Sequence, residues 1–202
     1  MIAIIDYGVG NLRSVEKAFE FLGHRAKIVN DKESIKKADK VVLPGVGAFA
    51  DAMKSLKETG IMDTVYEVIN EGKPFLGICL GMQLLFDYSE EGDMPKGLGI
   101  LKGAIRLIPV DKNLKVPQIG WNSLNIVKES KLFTGIPTNS FVYFVHSYYL
   151  QAGNREDVIA TTHYGIDIDV AVNRDNIYAV QFHPEKSGEV GLKILDNFAR
   201  LT

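Results

Sequence analysis

The chain has almost no cysteine: Cys79 is the only one among its 202 residues. A lone cysteine excludes an intramolecular disulfide, so the sequence carries no mark of an oxidising compartment. No apolar run approaches the ~20 residues that a membrane-spanning helix needs. The opening residues, MIAIIDYG, lack the basic region and cleavage site of a secretory signal. A cytoplasmic location is the simplest prediction.

The sequence also lacks an excess of charge of either sign. Its 23 basic and 25 acidic side chains give a net charge of -2, unlike the strongly basic footprint of a nucleic-acid binder. No group of His, Cys, Asp and Glu has the spacing of a metal site, and we predict neither a metal nor another cofactor. The composition, 46% apolar and 24% charged, is that of an ordinary globular protein. Length and the lack of a linker predict one domain over residues 1–202.

The first half alternates short apolar runs with amphipathic stretches, which is typical of βα units on a parallel sheet. Strands are predicted at 2–6, 26–29, 40–44 and 75–78, with Asn11 capping the first helix, and a helix is predicted at 80–86. The second half is β-rich, with one long strand at 141–150, and the chain closes on an amphipathic helix at 188–201. The pattern predicts an α/β fold: an open, mostly parallel twisted sheet with flanking helices and a β-rich second half.

Gly77-Ile78-Cys79-Leu80-Gly81 has the form of a sharp elbow that carries a nucleophile between a strand and a helix. On such a turn the backbone is strained, and the strand and helix approach so closely that glycine is needed on either side. The free N–H groups of the following helix favour the reactive thiolate. The elbow predicts a nucleophilic Cys79. The alternative is a small, buried structural cysteine.

Gln181-Phe182-His183-Pro184-Glu185 follows an apolar strand. Residues i and i+2 of an extended segment face the same side, and Pro184 favours an extended conformation for His183. We therefore expect the imidazole to meet the carboxylate of Glu185. The carboxylate would orient the ring and leave its other nitrogen to exchange a proton with the Cys79 sulfur. A surface turn is the alternative for His-Pro-Glu.

Two further segments, one rich in glycine and one containing tryptophan, each have two interpretations. Gly45-Val46-Gly47 begins a stretch that formally fits the dinucleotide pattern G-x-G-x-x-A. It follows the third strand rather than the first, which favours an oxyanion loop that supplies a backbone N–H beside that of Leu80. Trp121, in Gly-Trp-Asn, either fills the core or presents its indole to a partner.

Together these motifs closely resemble the class I, or triad, glutamine amidotransferases, and within them the glutaminase subunits of imidazole glycerol phosphate synthase in histidine biosynthesis. The resemblance covers nearly the whole chain. It rests on Asp6-Tyr7-Gly8-Val9-Gly10-Asn11, Pro44-Gly45-Val46-Gly47, the elbow with Met82-Gln83, residues 117–122, Phe144-Val145-His146-Ser147-Tyr148 and residues 181–187.

The resemblance implies that Cys79 attacks the carboxamide of glutamine, that His183 protonates the departing ammonia, and that water hydrolyses the thioester. Glu185 orients His183. Backbone N–H groups near Val46 and at Leu80 would hold the oxyanion. The residues expected to hold glutamine are Gly47, Gln83, Ser147 and Tyr148.

The resemblance also implies a partner. Ammonia would pass to a (β/α)8-barrel cyclase subunit in a heterodimer, and the cyclase would make imidazole glycerol phosphate and an aminoimidazole carboxamide ribonucleotide. The positions expected to face the cyclase are Val9, Asn11, Trp121 and Lys186. We expect weak glutaminase activity from the isolated chain and strong activity in the complex.

Three other functions fit part of the pattern. A glutaminase of the same family could serve a different synthase. The segment Gly120-Trp121-Asn122 distinguishes the two possibilities. A cysteine peptidase or amide hydrolase could use the same elbow. A non-catalytic binding module could retain only the fold.

Overall fold

A computed structural model of the protein describes residues 1–109 and 114–202. The helices in this part of the chain are α1 (Leu12–Phe21), α2 (Lys32–Lys37), α3 (Phe49–Glu58), α4 (Met62–Asn70), α5 (Leu80–Gln83) and α6 (Gly188–Ala199). The strands are β1 (Ile2–Ile5), β2 (Ala26–Val29), β3 (Lys40–Gly45), β4 (Phe75–Cys79), β5 (Tyr88–Ser89), β6 (Gly103–Leu107), β7 (Gln118–Ser123), β8 (Asn125–Ile126), β9 (Phe141–His146), β10 (Tyr148–Ala152), β11 (Val158–Tyr164), β12 (Ile166–Arg174) and β13 (Ile177–Val180). None of these helices is long and apolar enough to cross a membrane.

A twisted sheet runs through the molecule in the order β2-β1-β3-β4-β13-β12-β10-β6-β5. The block from β2 to β13 is parallel, and β12, β10 and β6 extend it as antiparallel strands. β11 and β8 continue from β12, while β7 and β9 form a separate antiparallel pair. The predicted fold class is confirmed. The carboxyl ends of β3 and β4 lie side by side, with Gly45 opposite Cys79.

Both faces of the sheet are covered, as the apolar runs of its central strands require. On one face Ala3 and Ile5 of β1 pack with side chains of α3 and α4. On the other face Ile2 and Ile4 pack with α1 and α6. Each fully buried large apolar side chain contributes about 1.5–3 kcal/mol. The strands that carry the candidate site are therefore held rigidly from both sides.

The predicted strand at 141–150 is wrong as one element. β9 ends at His146 and pairs with β7, while β10 begins at Tyr148 and pairs with β6. Ser147 lies at the crossing between the two sheets, where its carbonyl accepts a hydrogen bond from the N–H of Ile108 at 2.9 Å. The apolar run is continuous, so periodicity alone could not locate the break.

The helix predicted at 80–86 is also shorter than expected. α5 ends at Gln83, because the next N–H groups donate three residues back instead of four: Leu85 to the carbonyl of Met82 and Phe86 to that of Gln83. The carbonyls of Leu84, Leu85 and Phe86 accept from Leu98, Leu101 and Gly99, which fixes this turn against later backbone. A four-residue helix aligns few peptide dipoles, so it favours the Cys79 thiolate less than the predicted helix would.

Other differences are local. Asn11 lies at the N-cap of α1, but its side chain accepts from the Ser14 hydroxyl rather than from a backbone N–H. α2 was not predicted; Asp31 caps it by accepting from the N–H of Ser34 at 2.8 Å. In the β-rich second half, β7 was not predicted, and β8 after it is only two residues long.

Candidate active site

Cys79 lies at the tip of the elbow between β4 and α5. Its φ of 54° is in the region that residues with a side chain rarely adopt. A Cβ on Gly81 would lie 1.8 Å from the carbonyl oxygen of Leu43, and one on Gly77 would lie 2.9 Å from Cα of Met82. Both glycines are therefore required for the strand and helix to approach each other.

His183 and Glu185 meet at the end of β13. Nδ1 of His183 is 2.8 Å from Oε1 of Glu185, and the two side chains are 3% and 1% exposed. His183 is extended, as predicted, but the extended segment does not continue through Glu185: Pro184–Lys186 is a 3-10 turn. Proline suits the first position of such a turn, because its φ is fixed and it has no N–H to satisfy.

The turn is attached to β9 on both sides of the histidine. The N–H of His183 donates to the carbonyl of Tyr143 at 3.0 Å. The hydroxyl of Ser187 donates to the carbonyl of His183 at 2.6 Å, and it accepts from the N–H of Tyr143 at 2.9 Å. These bonds fix the backbone that carries the His183 imidazole.

The charge state of His183 depends on its two neighbours. Burial disfavours the charged ring, but the nearby Cys79 sulfur and then the Glu185 carboxylate outweigh it, so the pKa of His183 is raised to about 10. Nε2 of His183 has no hydrogen-bond partner within residues 1–109 and 114–202. A protonated ring would therefore have Nε2–H available for a leaving group.

A cavity of about 360 Å³ opens at the elbow. Its lining residues include Cys79, His183, the expected oxyanion positions and all of the expected glutamine-binding residues. They are Val46, Gly47, Cys79, Leu80, Gln83, Glu91, Pro117, Val145, His146, Ser147, Tyr148, His183 and Lys186. Glu185 lies behind His183 and does not line the cavity.

Gln83 is almost fully buried at the cavity wall. Its side-chain nitrogen donates to the carbonyl of Tyr148 at 3.1 Å and to Oε1 of Gln181 at 2.9 Å. With both amide hydrogens directed into the protein, the atom that Gln83 can offer to a ligand is its carbonyl oxygen.

Glu91 lines the cavity and was missed from the sequence. Its carboxylate accepts from the N–H of Phe49, the first residue of α3, at 2.9 Å. Glu91 stands in an acidic, turn-rich stretch after the elbow, and nothing local distinguishes it from a solvated acid.

His146 also lines the cavity and was missed as a site residue. Nδ1 lies 2.9 Å from the carbonyl of Tyr148, which can only accept, so Nδ1 carries the hydrogen. The other ring nitrogen lies 3.0 Å from the side-chain amide of Gln118. Burial lowers the pKa of His146 to about 4, against the Tyr148 hydrogen bond and with a smaller contribution from His183. The ring is therefore neutral at physiological pH.

Tyr7, from the turn after β1, reaches the underside of the elbow. The side chain is fully buried, and its hydroxyl lies 2.6 Å from the place where a Cβ on Gly45 would be. The hydroxyl has no hydrogen-bond partner in the described part of the chain. Burial, followed by the charge of Cys79, raises the pKa of Tyr7 and keeps it protonated.

The residues expected to face the partner differ in how exposed they are. Trp121 is 55% exposed and makes an edge contact with Tyr143, with ring centroids 6.1 Å apart. The ammonium of Lys186 lies 6.0 Å from the centroid of the same tyrosine ring. Val9 and Asn11 are half-buried near the first turn.

In residues 1–109 and 114–202, no three His, Cys, Asp or Glu side chains are grouped to hold a metal ion.

Comparisons with known proteins agree over the full length. The family model described as glutamine amidotransferase class-I matches residues 3–201. The imidazole glycerol phosphate synthase subunit HisH of Caldanaerobacter subterraneus subsp. tengcongensis is 52% identical over 201 residues, with 100% of this chain and 98% of the relative covered. The subunit of the same name from Methanocaldococcus jannaschii is 48% identical, with 100% of both chains covered.

Solved structures with lower identity have a similar fold. One titled as a glutamine amidotransferase has a TM-score of 0.76 at 22% identity and covers 100% of both chains. A structure of PurLQS from Thermotoga maritima has a TM-score of 0.74 at 18% identity, covering 98% of this chain and 96% of that one.

Proposed function

The chain belongs to the class-I glutamine amidotransferase family, and from that membership we propose that its cavity hydrolyses glutamine through Cys79, His183 and Glu185. Relatives about half identical over their whole length are named as subunit HisH of imidazole glycerol phosphate synthase. The function is accordingly that of the glutamine amidotransferase subunit of this synthase, in histidine biosynthesis.

The observation that supports these roles is the cavity itself. It brings the Cys79 sulfur and the His183 ring together with residues expected to hold glutamine. The thiolate attacks the carboxamide carbon of glutamine, and the carbonyl becomes an oxyanion. Backbone N–H groups at Leu80 and near Val46 hold that oxyanion. His183 then gives its proton to the departing nitrogen, and ammonia leaves as the thioester forms.

In the second half of the reaction water attacks the thioester carbon. His183, now neutral, takes a proton from the water, and the Cys79 sulfur leaves as glutamate is released. The carboxylate of Glu185, bonded to Nδ1, stabilises the imidazolium and fixes which ring nitrogen faces the substrate. These reaction steps use no cofactor.

The polar groups of the cavity wall suit glutamine. Gly47, Ser147 and Tyr148 line the wall beside the reacting groups, and Gln83 presents an acceptor oxygen. We assign Glu91 a further role: its carboxylate pairs with the α-ammonium group of glutamine, since opposite charges attract strongly in a confined site.

The proposed partner is a (β/α)8-barrel cyclase subunit that receives the ammonia. Its docking face includes the outer side of the β7–β9 pair, where Ile119, Trp121 and Phe141 are 63%, 55% and 57% exposed. Large apolar side chains exposed together mark interaction surfaces. Val145 and Lys186 connect this face with the cavity. Val9 and Asn11 complete the proposed contact.

Two further features support the remaining expectations. Strands from both halves of the chain share one sheet, in which β4 pairs with β13, and this supports a single domain over residues 1–202. A reactive lone thiol is preserved best in a reducing compartment, which supports a cytoplasmic location.

The test is glutamate release measured with glutamine and with a peptide panel, for the chain alone and mixed with its cyclase subunit. We expect release from glutamine only, slow from the isolated chain and much faster in the complex with cyclase ligand. Cleavage of peptides in preference to glutamine would favour a cysteine peptidase instead. Equal rates with and without the cyclase would contradict activation by the partner.

A further inference from the structure

The side chain of Gln181 touches the nucleophile directly. It is fully buried at the end of β13, and its Nε2 lies 3.6 Å from Sγ of Cys79 in a hydrogen-bonding arrangement. Gln181 does not line the cavity, so a role in gripping glutamine does not account for it. A buried amide that donates to sulfur needs another explanation.

A backbone carbonyl fixes the direction of this contact. The oxygen of Tyr148 can only accept, so the amide nitrogen of Gln83 must face it, at 3.1 Å. The same nitrogen then donates to Gln181, at 2.9 Å, which requires that Gln181 present its oxygen there. Its NH2 group is consequently left for the sulfur. The two amides have no freedom to exchange their oxygen and nitrogen positions without opposing like groups.

We propose that Gln181 is a further catalytic residue that stabilises the thiolate form of Cys79. A thiolate accepts hydrogen bonds much better than a thiol, because bonds to a charged acceptor are the stronger ones. The short α5 helix contributes less to this stabilisation than a longer helix would. The inference rests on the proposed function only in that Cys79 is taken as the nucleophile.

Other groups that face Cys79 must be separated from this effect. His183, backed by Glu185, has its pKa raised by both Cys79 and Glu185. Tyr7, below the elbow, stays protonated because its pKa is raised by burial and by Cys79. His146, which lines the same cavity, has its pKa lowered by burial to about 4. A change confined to Gln181 leaves these groups in place.

The experiment measures alkylation of Cys79 by iodoacetamide as a function of pH in the full-length chain. The thiolate displaces iodide and forms a thioether, so the rate reports the thiolate fraction without requiring glutamine. Gln181→Met removes the donor, and Gln181→Glu replaces it with an acceptor of the same shape. Gln118→Met is the matched control, since Gln118 is 3% exposed and bonds to His146 instead of the sulfur.

We expect Gln181→Met to move the midpoint of the alkylation profile upward by about one pH unit, a roughly tenfold lower rate below the midpoint. Gln181→Glu should move it at least as far, and Gln118→Met should leave it unchanged. A Gln181→Met profile that coincides with wild type would overturn the proposal. So would an equal shift in the control.

If the buried variants do not fold, the wild-type protein supplies the test. The side-chain NH2 signals of Gln181 in a ¹⁵N spectrum should shift with pH at the alkylation midpoint, and again when Cys79 is alkylated. Signals insensitive to both would overturn the proposal. A protein that fails to hydrolyse glutamine, yet shows the shifted profile, would refute the proposed function and leave the role of Gln181 standing.

Discussion

Glu185 is the proposed orienting carboxylate, although it does not line the cavity. It is buried behind His183, and its carboxylate is one of the two groups that raise the pKa of the imidazole despite burial. The imidazolium therefore depends on a carboxylate that the substrate does not meet. Changes at Glu185 should consequently affect proton transfer more than glutamine binding.

Replacing Glu185 with glutamine tests whether this residue acts in proton transfer and not in glutamine binding. Glu185→Gln keeps the size of the side chain but removes its charge, so the imidazolium loses stabilisation. We expect kcat for glutamine to fall by at least about 100-fold, with KM changed by less than about threefold. Steady-state kinetics in the complex gives both values. A variant with an unchanged kcat would show that Glu185 does not orient the base.

His146 should make the protein sensitive to mild acid. Its pKa is lowered to about 4, so between the unfolded value near 6.5 and 4 the unfolded chain binds a proton that the folded protein does not. The associated stability is complete above about pH 6.5 and is lost as pH falls. At about pH 5 this loss amounts to about 2 kcal/mol.

The measurement is urea unfolding of wild type and His146→Asn at neutral pH and at about pH 5. Wild type should lose about 2 kcal/mol more than the variant on acidification, because the asparagine does not titrate. Equal losses in the two proteins would mean that His146 is not kept neutral by the fold.

At the scale of elements, the elbow is the feature that tolerates added side-chain atoms least. β3 and β4 lie side by side, and α5 turns back over them so closely that Gly81 faces the carbonyl of Leu43. That carbonyl belongs to a central strand and cannot move aside. The geometry that presents the Cys79 sulfur to the cavity therefore depends on glycine, which has no side chain, at positions 77 and 81.

We expect Gly81→Ala to destabilise the protein by at least about 3 kcal/mol, since its Cβ would overlap backbone. Gly23→Ala is the control: Gly23 has a φ of 78° but nothing within 4 Å of its Cβ position. It should lose only about 1 kcal/mol from backbone strain. Denaturant unfolding compares them, and similar losses would contradict the close-approach account.

The elements show which features a sequence can predict. Central strands such as β4 were predicted because buried parallel strands are short, continuous apolar runs. The contact of His183 with Glu185 was predicted, but from an extended segment where the structure has a 3-10 turn. The motif predicted that these two side chains meet, but not the backbone turn that brings them together.

The features that were missed depend on contacts between distant parts of the chain. The turn that ends α5 is fixed by bonds from residues 98–101, and β9 separates from β10 because each pairs with a strand of a different sheet. Glu91 enters the cavity only through the fold, 12 residues after Cys79, and Gln181 reaches the sulfur through contacts with Gln83. No local pattern reports such tertiary contacts.

For the whole molecule, the exposed face of the β7–β9 pair predicts where the partner binds. Trp121→Ala should weaken binding of the cyclase subunit by about 30-fold, or about 2 kcal/mol, since an interface tryptophan is a common anchor. Alkylation of Cys79 in the isolated chain should not change. Titration calorimetry measures the affinity.

Phe21→Ala is the matched control for this surface. Phe21 is 78% exposed on α1, so its loss removes a similar apolar group outside the proposed interface. The affinity for the cyclase should stay the same. Equal weakening by both variants, or none by Trp121→Ala, would be inconsistent with a docking site on β7 and β9.

The most direct test of the account separates ammonia production from ammonia use. In the complex of this chain with its cyclase subunit, synthase turnover is measured with glutamine and, separately, with an ammonium salt, for wild type and Cys79→Ala. We predict that the variant loses glutamine-dependent turnover by more than about 1,000-fold and keeps its ammonium-dependent turnover. Glutamine-dependent synthesis that survives in Cys79→Ala, or loss of both activities in a complex that still assembles, would contradict it.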